Sequence, residues 1–312
     1  MARPLNEQVV VISGAGSGIG RATARRFAQH GARLVVGSRN MEGVNAILGE
    51  IKAAGGQGVG MQVDVARREQ VDALAQLAMN TYGRIDTWVN NAGVSIYAKF
   101  ETVTEEEVRR LFDVNFLGTV HGMWTAIPLL RAGGGGTIVN VASVVGRRGL
   151  PLQNFYSSTK FAIIGLTESL RVEYRTQKEN IHFSIVCPPS VDTPFYDNAL
   201  TKMGYTAKPL PVVLPADAVA KDIVKCATRA RREVWVGWVG KAFVSTSILF
   251  PWFMDWFITR LGFAAQQTTE PKRPDGEAAL YGPTSMITED GNWSAWGNRR
   301  HAAKAAKSTG GD

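Results

Sequence analysis

The sequence predicts a single doubly wound parallel α/β sheet flanked by helices, with a C-terminal extension. Three observations lead there. Short runs rich in β-branched residues are almost continuously apolar, the pattern of strands covered on both faces. Longer stretches between them carry apolar residues at helical spacing. The first apolar run ends in a cluster of glycines that feeds directly into a helical pattern, the join of a strand–turn–helix unit.

In chain order, the strands are expected at residues 9–12, 34–36, 59–63, 87–89, 138–141 and 183–186. The helices are expected at 21–30, 70–82, 105–130 and 157–174. Strand and helix alternate, so the strands run parallel and the helices fill the crossovers. The pattern fades after about residue 240. Residues 1–240 are therefore read as one nucleotide-binding and catalytic domain. Residues 241–263 form an aromatic helical segment, and 264–312 a loop-rich, partly disordered tail.

Composition agrees with a packed globular chain. Of 312 residues, 45% are hydrophobic, enough to exclude wholesale disorder. The 33 glycines follow no collagen period. Cys187 and Cys226 are too few for a disulfide scaffold or a four-cysteine zinc site, and a reducing compartment is the default. The four histidines, at 30, 121, 182 and 301, lack metal-ligand spacing, so no metal is expected. The net charge is +8, yet no run of five Lys or Arg occurs, which argues against nucleic acid. The first apolar run is too short for a signal-peptide core, so the location is expected to be cytoplasmic.

The glycine cluster reads Ser13-Gly14-Ala15-Gly16-Ser17-Gly18-Ile19-Gly20. A helix starting at such a turn offers unpaired N–H groups to an anion. Gly14 suits the tight turn, Gly18 the close approach of a pyrophosphate, and Gly20 close helix–strand packing. The second strand leads into Gly37-Ser38-Arg39, with no acid at 37–40. An acid there would bond a ribose 2′-hydroxyl, whereas an arginine accepts a 2′-phosphate. NADP(H) is therefore expected over NAD(H).

The glycine cluster, Asn90-Asn91-Ala92-Gly93, Asn115, Ser143 and Tyr156-Ser157-Ser158-Thr159-Lys160 together resemble the short-chain dehydrogenase/reductase family. The likeness runs from about Gln8 to Thr193, more loosely to Gly237, and implies a Rossmann-like fold and hydride transfer. A second Tyr-x-x-x-Lys, from Tyr174 to Lys178, lies where the helical pattern ends and follows no strand-end serine. Tyr156 is therefore the expected general acid/base. Lys160, one turn on, is expected to stabilise the phenolate and lower its pKa. The resemblance implies that Lys160 also bonds the nicotinamide ribose, that Ser143 bonds the substrate oxygen, and that Asn115 holds a water in a proton relay. It further implies cofactor contacts from Ser17, Ile19, Asp64, Val65, Asn91, Ala92, Gly93, Val191 and Thr193. The family's Pro-Gly after the sixth strand is replaced here by Pro188-Pro189-Ser190, which weakens the transfer for that loop.

The substrate side is expected to be apolar. Phe195, Tyr196, Leu200, Met203, Tyr205, Val212, Val213 and Leu214 lie after Thr193. Leu150, Leu152, Phe155 and Ser95-Ile96-Tyr97 face them. Only Lys202 and Arg147 are candidates to clamp a carboxylate. A hydrophobic ketone, aldehyde or secondary alcohol is expected. The alternative is a catalytically inactive dinucleotide-binding protein on the same fold. The resemblance implies a homodimer, formed through the helices at 105–130 and 157–174. Pro251, Asp255 and several hydroxyls break segment 241–263, so it is not expected to span a membrane. Packing on the substrate loop or a partner subunit is the first expectation for it, and peripheral contact with a membrane surface the second.

Overall fold

A computed structural model describes residues 3–271, 278–291 and 293. Seven parallel strands form its central sheet: β1 (Val9–Ser13), β2 (Arg33–Ser38), β3 (Gln57–Gln62), β4 (Thr87–Asn90), β5 (Gly136–Val141), β6 (Ile181–Cys187) and β7 (Glu233–Trp235). Their order in space is β3-β2-β1-β4-β5-β6-β7. The order reverses between β1 and β4, so a crevice opens beyond the carboxyl ends of those two strands.

Side-chain alternation explains the continuous apolar runs. Val9 and Val11 point into one core, Val10 and Ile12 into the other, and all four are wholly buried. The helices α1 (Gly18–Gln29), α2 (Met41–Ala53) and α7 (Ala216–Thr228) close the second core. The first is closed by α3 (Arg68–Tyr82), α4 (Glu105–Phe112), α5 (Gly118–Ala132) and α6 (Asn154–Thr176). Such two-sided cover makes this a doubly wound sheet. Cys187 and Cys226 are buried and unpaired.

The six expected strands are present with small shifts at their ends. Three further elements join them: β7, α2 and α7. The expected helix over 105–130 is instead two helices joined by a π-turn, Asp113–Leu117. Thr104 and Glu107 start α4 with a reciprocal capping box. The π-turn lies at Asn115, whose side chain is tied to another part of the chain, and such wide turns often mark functional positions.

The extension begins with α8 (Gly237–Leu249) and α9 (Pro251–Leu261), which meet at a bend of 119°. Pro251 ends one helix and starts the next, since its ring suits the first turn and not the interior. Among the described residues no single helix is long and apolar enough to cross a membrane. Gln267–Pro271 pairs antiparallel with Tyr205–Ala207. Residues 278–291 then return across the carboxyl edge of the sheet, with Leu280 and Trp293 buried. This part of the expected loose tail is packed on the fold. The expected disorder of residues 294–312 lies outside the described residues.

Candidate active site

The crevice holds a cavity of about 800 Å³. Its floor is the glycine turn. Gly14 has φ +70°, and a Cβ there would sit 2.7 Å from the Ala92 Cα. A Cβ on Gly20 would lie 2.0 Å from the Gly14 carbonyl oxygen, so only glycine lets α1 begin this close to β1. The Asn91 Nδ2 donates to the carbonyls of Ser13 and Gly14, fastening the end of β4 to the turn. Gly14, Ser17, Gly18 and Ile19 line the cavity, as do Val65, Asn91, Ala92, Gly93, Val191 and Thr193.

Two expected cofactor residues do not line it. Gly20 is a packing position beneath the turn. Asp64 is turned toward Arg110, which donates to its Oδ2 at 2.6 Å. Burial pushes the Asp64 carboxyl up, but the Arg110 hydrogen bond and nearby positive charge outweigh it, and the net shift is down. Ser38 and Asn40 line the cavity beside Arg39 and were not expected to.

Arg39 follows β2 and is largely out of water, which lowers its pKa. Its Nη2 donates to the Ala279 carbonyl at 2.5 Å. Its Nη1 is buried with no hydrogen-bond partner among the described residues. A buried guanidinium nitrogen left open costs free energy unless an acceptor arrives. The glycine turn fits the pyrophosphate of a nicotinamide dinucleotide.

Three of the four expected catalytic residues meet at the cavity. β5 ends at Val141, two residues before Ser143, and α6 brings in Tyr156 and Lys160 one turn apart. Ser143 Oγ donates to the Pro188 carbonyl at 3.3 Å and accepts from the Val145 N–H. Lys160 Nζ donates to the Val141 carbonyl at 3.0 Å and lies 5.6 Å from the centre of the Tyr156 ring. The Tyr156 ring packs on Phe195, with ring centres 5.5 Å apart.

The expected lowering of the Tyr156 pKa by Lys160 is not what this geometry gives. Burial pushes the phenol well above its ordinary value, Tyr196 adds to the rise, and Ser143 opposes it. Burial also pushes Lys160 down to about 8. The ammonium bonds a carbonyl rather than the phenol oxygen, and desolvation governs both groups.

Asn115 stands behind the cavity rather than in it. Its Oδ1 accepts from the Val94 N–H at 2.8 Å, and its Nδ2 donates to the Val94 carbonyl and to Thr159 Oγ1. It shares a boundary with Lys160: a Cβ on Gly93 would lie 3.5 Å from Asn115 Oδ1 and 3.7 Å from Lys160 Nζ. Lys178, of the second Tyr-x-x-x-Lys, lies beyond the end of α6.

Among the expected substrate residues, Leu150, Ser95, Tyr97, Phe195, Tyr196 and Val212 line the cavity. Leu152, Phe155, Ile96, Leu200, Met203, Tyr205, Val213 and Leu214 do not. Neither expected carboxylate clamp lines it either. Lys202 pairs with Glu107 at 2.7 Å, and Arg147 with Glu168 and Glu233. The Pro188-Pro189-Ser190 loop keeps its place: all three residues line the cavity, and Pro188 accepts the Val144 N–H. Sequence reasoning missed Gln153, Lys208 and Leu210. It also missed that Phe243, Phe257, Ile258 and Leu261 of the extension complete the apolar wall. The signal for α9 was present, since Met254, Phe257, Ile258 and Leu261 share one helical stripe.

A family model described as short chain dehydrogenase matches residues 8–204. The chain is 35% identical over 308 residues to an uncharacterised oxidoreductase, YxnA, of Bacillus subtilis, covering 98% of this chain and 86% of that one. It is 35% identical over 195 residues to a 3beta-hydroxysteroid dehydrogenase of Mediterraneibacter gnavus, covering 62% and 70% of the two chains. A crystal structure of a short chain dehydrogenase/reductase from Burkholderia phymatum in complex with NAD shares the fold. Its TM-score is 0.71 at 26% identity, covering 80% of this chain and 95% of that one.

Proposed function

The chain belongs to the short-chain dehydrogenase family, and from that premise we propose that it is an NADP(H)-dependent oxidoreductase of hydrophobic ketones, aldehydes or secondary alcohols. One observation carries the reading: Ser143, Tyr156 and Lys160 converge on an apolar cavity that the glycine turn and Arg39 also line. The glycine turn would hold the pyrophosphate, and Arg39 the 2′-phosphate. When bound, the nicotinamide supplies or accepts the hydride.

The protein's own part is the proton. In reduction, the Tyr156 phenol gives its proton to the carbonyl oxygen as that oxygen gains charge. Ser143 donates a hydrogen bond to the same oxygen and fixes its position. The raised pKa keeps the phenol protonated through the neutral range, the form reduction needs. The Lys160 ammonium, 5.6 Å from the centre of the Tyr156 ring, would have to leave the Val141 carbonyl to stabilise the phenolate left behind. Phe195, Leu150 and the α9 stripe exclude water and favour an apolar substrate. The hydroxysteroid dehydrogenase among the relatives is consistent with a bulky apolar alcohol.

We also read the chain as a cytoplasmic homodimer with peripheral membrane contact. Trp124 on α5 and Phe161 and Val172 on α6 are exposed, which supports pairing through those helices. The outer face of the α8–α9 pair, with Trp238, Leu249, Trp252 and Trp256 exposed, supports contact with a lipid surface.

The decisive experiment is NADPH consumption on a panel of apolar carbonyls, with Tyr156→Phe as control. The variant should lose roughly 10²- to 10⁴-fold in kcat, the usual contribution of a positioned acid. Activity that survives it removes the acid–base role. Arg39→Ser should raise the KM for NADPH about 10- to 100-fold and leave that for NADH nearly unchanged. Equal use of both coenzymes by the unaltered protein would refute the NADP(H) preference.

A further inference from the structure

We propose that residues 278–291, with Trp293, form a clasp that completes the dinucleotide site, roofing the bound cofactor and limiting its release. The proposal rests on the dinucleotide reading above and assigns the site a part that lies far from the family motifs.

The segment is pinned to the elements that would hold the phosphates. The Thr288 carbonyl accepts the Gly18 N–H at 3.0 Å, and the Ile287 carbonyl accepts from Arg21 Nη1. The Thr284 carbonyl accepts from Asn40 Nδ2 at 2.8 Å, and the Ala279 carbonyl from Arg39 Nη2. These are donors on the glycine turn, on α1 and just after β2. A tail resting on them closes the open side of the crevice.

Anchors at both ends hold it there. Leu280 is wholly buried in the core, and its carbonyl accepts from Arg110 Nε at 3.0 Å. At the other end, Asp192 Oδ1 accepts the N–H groups of Gly291 and Trp293, at 3.0 and 2.8 Å. Between them, Glu289 pairs with Arg25 at 2.7 Å. Asp192 sits between Val191 and Thr193, so the anchor belongs to the loop that lines the nicotinamide end of the cavity.

The segment lines the cavity and takes one donor of the glycine turn, the Gly18 N–H, for itself. Ala279, Thr284, Met286 and Ile287 line the same cavity as Gly14 and Arg39. By occupying Nη2 of Arg39, Ala279 fixes the guanidinium at the edge of the cavity. The clasp therefore shapes coenzyme choice as well as retention.

The test uses the full chain. Leu280→Glu removes the buried anchor. Glu289→Arg sets two arginines against each other, and adding Arg25→Glu restores the pair. NADPH dissociation is followed by stopped-flow fluorescence, and hydrogen exchange of residues 278–291 is measured with and without NADPH. In the unaltered chain, NADPH should slow exchange in the segment. Leu280→Glu should release NADPH at least tenfold faster, Glu289→Arg severalfold faster, and the double variant at nearly the original rate. Unchanged release in both single variants overturns the clasp alone. Faster exchange on NADPH addition, with tighter binding in Leu280→Glu, also overturns it, because the tail would then be a competitor for the site. An unaltered chain that binds neither NADPH nor NADH overturns the dinucleotide reading and the clasp with it.

Discussion

Lys160 shows how a single buried charge carries a cost in stability. Burial lowers its pKa from 10.5 to about 8. Between those values the unfolded chain binds more protons than the native one, so stability rises with pH across that window. Below pH 8 the penalty is felt in full. Lys160→Met should therefore stabilise the protein at neutral pH, by on the order of 3 kcal/mol, and the gain should shrink as pH approaches 10. Urea titrations at pH 7 and 9.5 measure the difference. A variant less stable than the parent at pH 7 would contradict it. Tyr156 opposes this trend only above pH 10, where an unfolded phenol ionises and the native one, with its raised pKa, does not. The Tyr156–Lys160 spacing was legible in the sequence, because one helical turn follows from a count of residues. Their protonation was not, because it depends on Phe195, Tyr196 and other walls brought in from distant parts of the chain.

At the level of elements, the break in the expected helix over 105–130 is the most informative departure. A π-turn leaves the apolar spacing of its neighbours nearly intact, so periodicity alone does not reveal it. Its cause is a tertiary contact, the clip from Asn115 to both backbone groups of Val94. Asn115→Leu keeps the size and removes both bonds, leaving a buried N–H and C=O unpaired. The cost should be about 2–5 kcal/mol, and calorimetry should show Tm falling by roughly 5 °C or more. A change within a degree would mean that water or a local shift satisfies Val94. The inner strands were readable because they are apolar on both faces, whereas edge strand β3 is half-buried and exposed at Gln57 and Gln62. β7 was not readable, since three residues are too few to carry a pattern. The aromatic character of 241–263 was plain, but the fold-back of α9 onto the cavity depends on the bend at Pro251.

For the whole molecule, two exposed apolar faces have separate expected partners. Phe161→Glu should convert a dimer to a monomer in light scattering and leave vesicle binding intact. Trp252→Glu should abolish co-sedimentation with vesicles containing phosphatidylglycerol and leave the dimer intact. If Trp252→Glu dissociates the dimer and the parent ignores vesicles, the α8–α9 face is a subunit interface instead. The clasp was the least legible part of the chain. Its contacts run mainly through backbone carbonyls, which have no sequence signature, and its two sides lie far apart, 266 residues in the case of Arg21 and Ile287. That separation has a consequence during synthesis. At typical rates of about 5–20 residues per second, the glycine turn leaves the ribosome some tens of seconds before the segment that covers it. The sheet is complete only once β7 has emerged, about 43 residues before the clasp begins, so its nucleotide crevice stands uncovered for roughly 2–9 s. A coenzyme that enters then is enclosed later, so a freshly made molecule can acquire its dinucleotide without ever having to open.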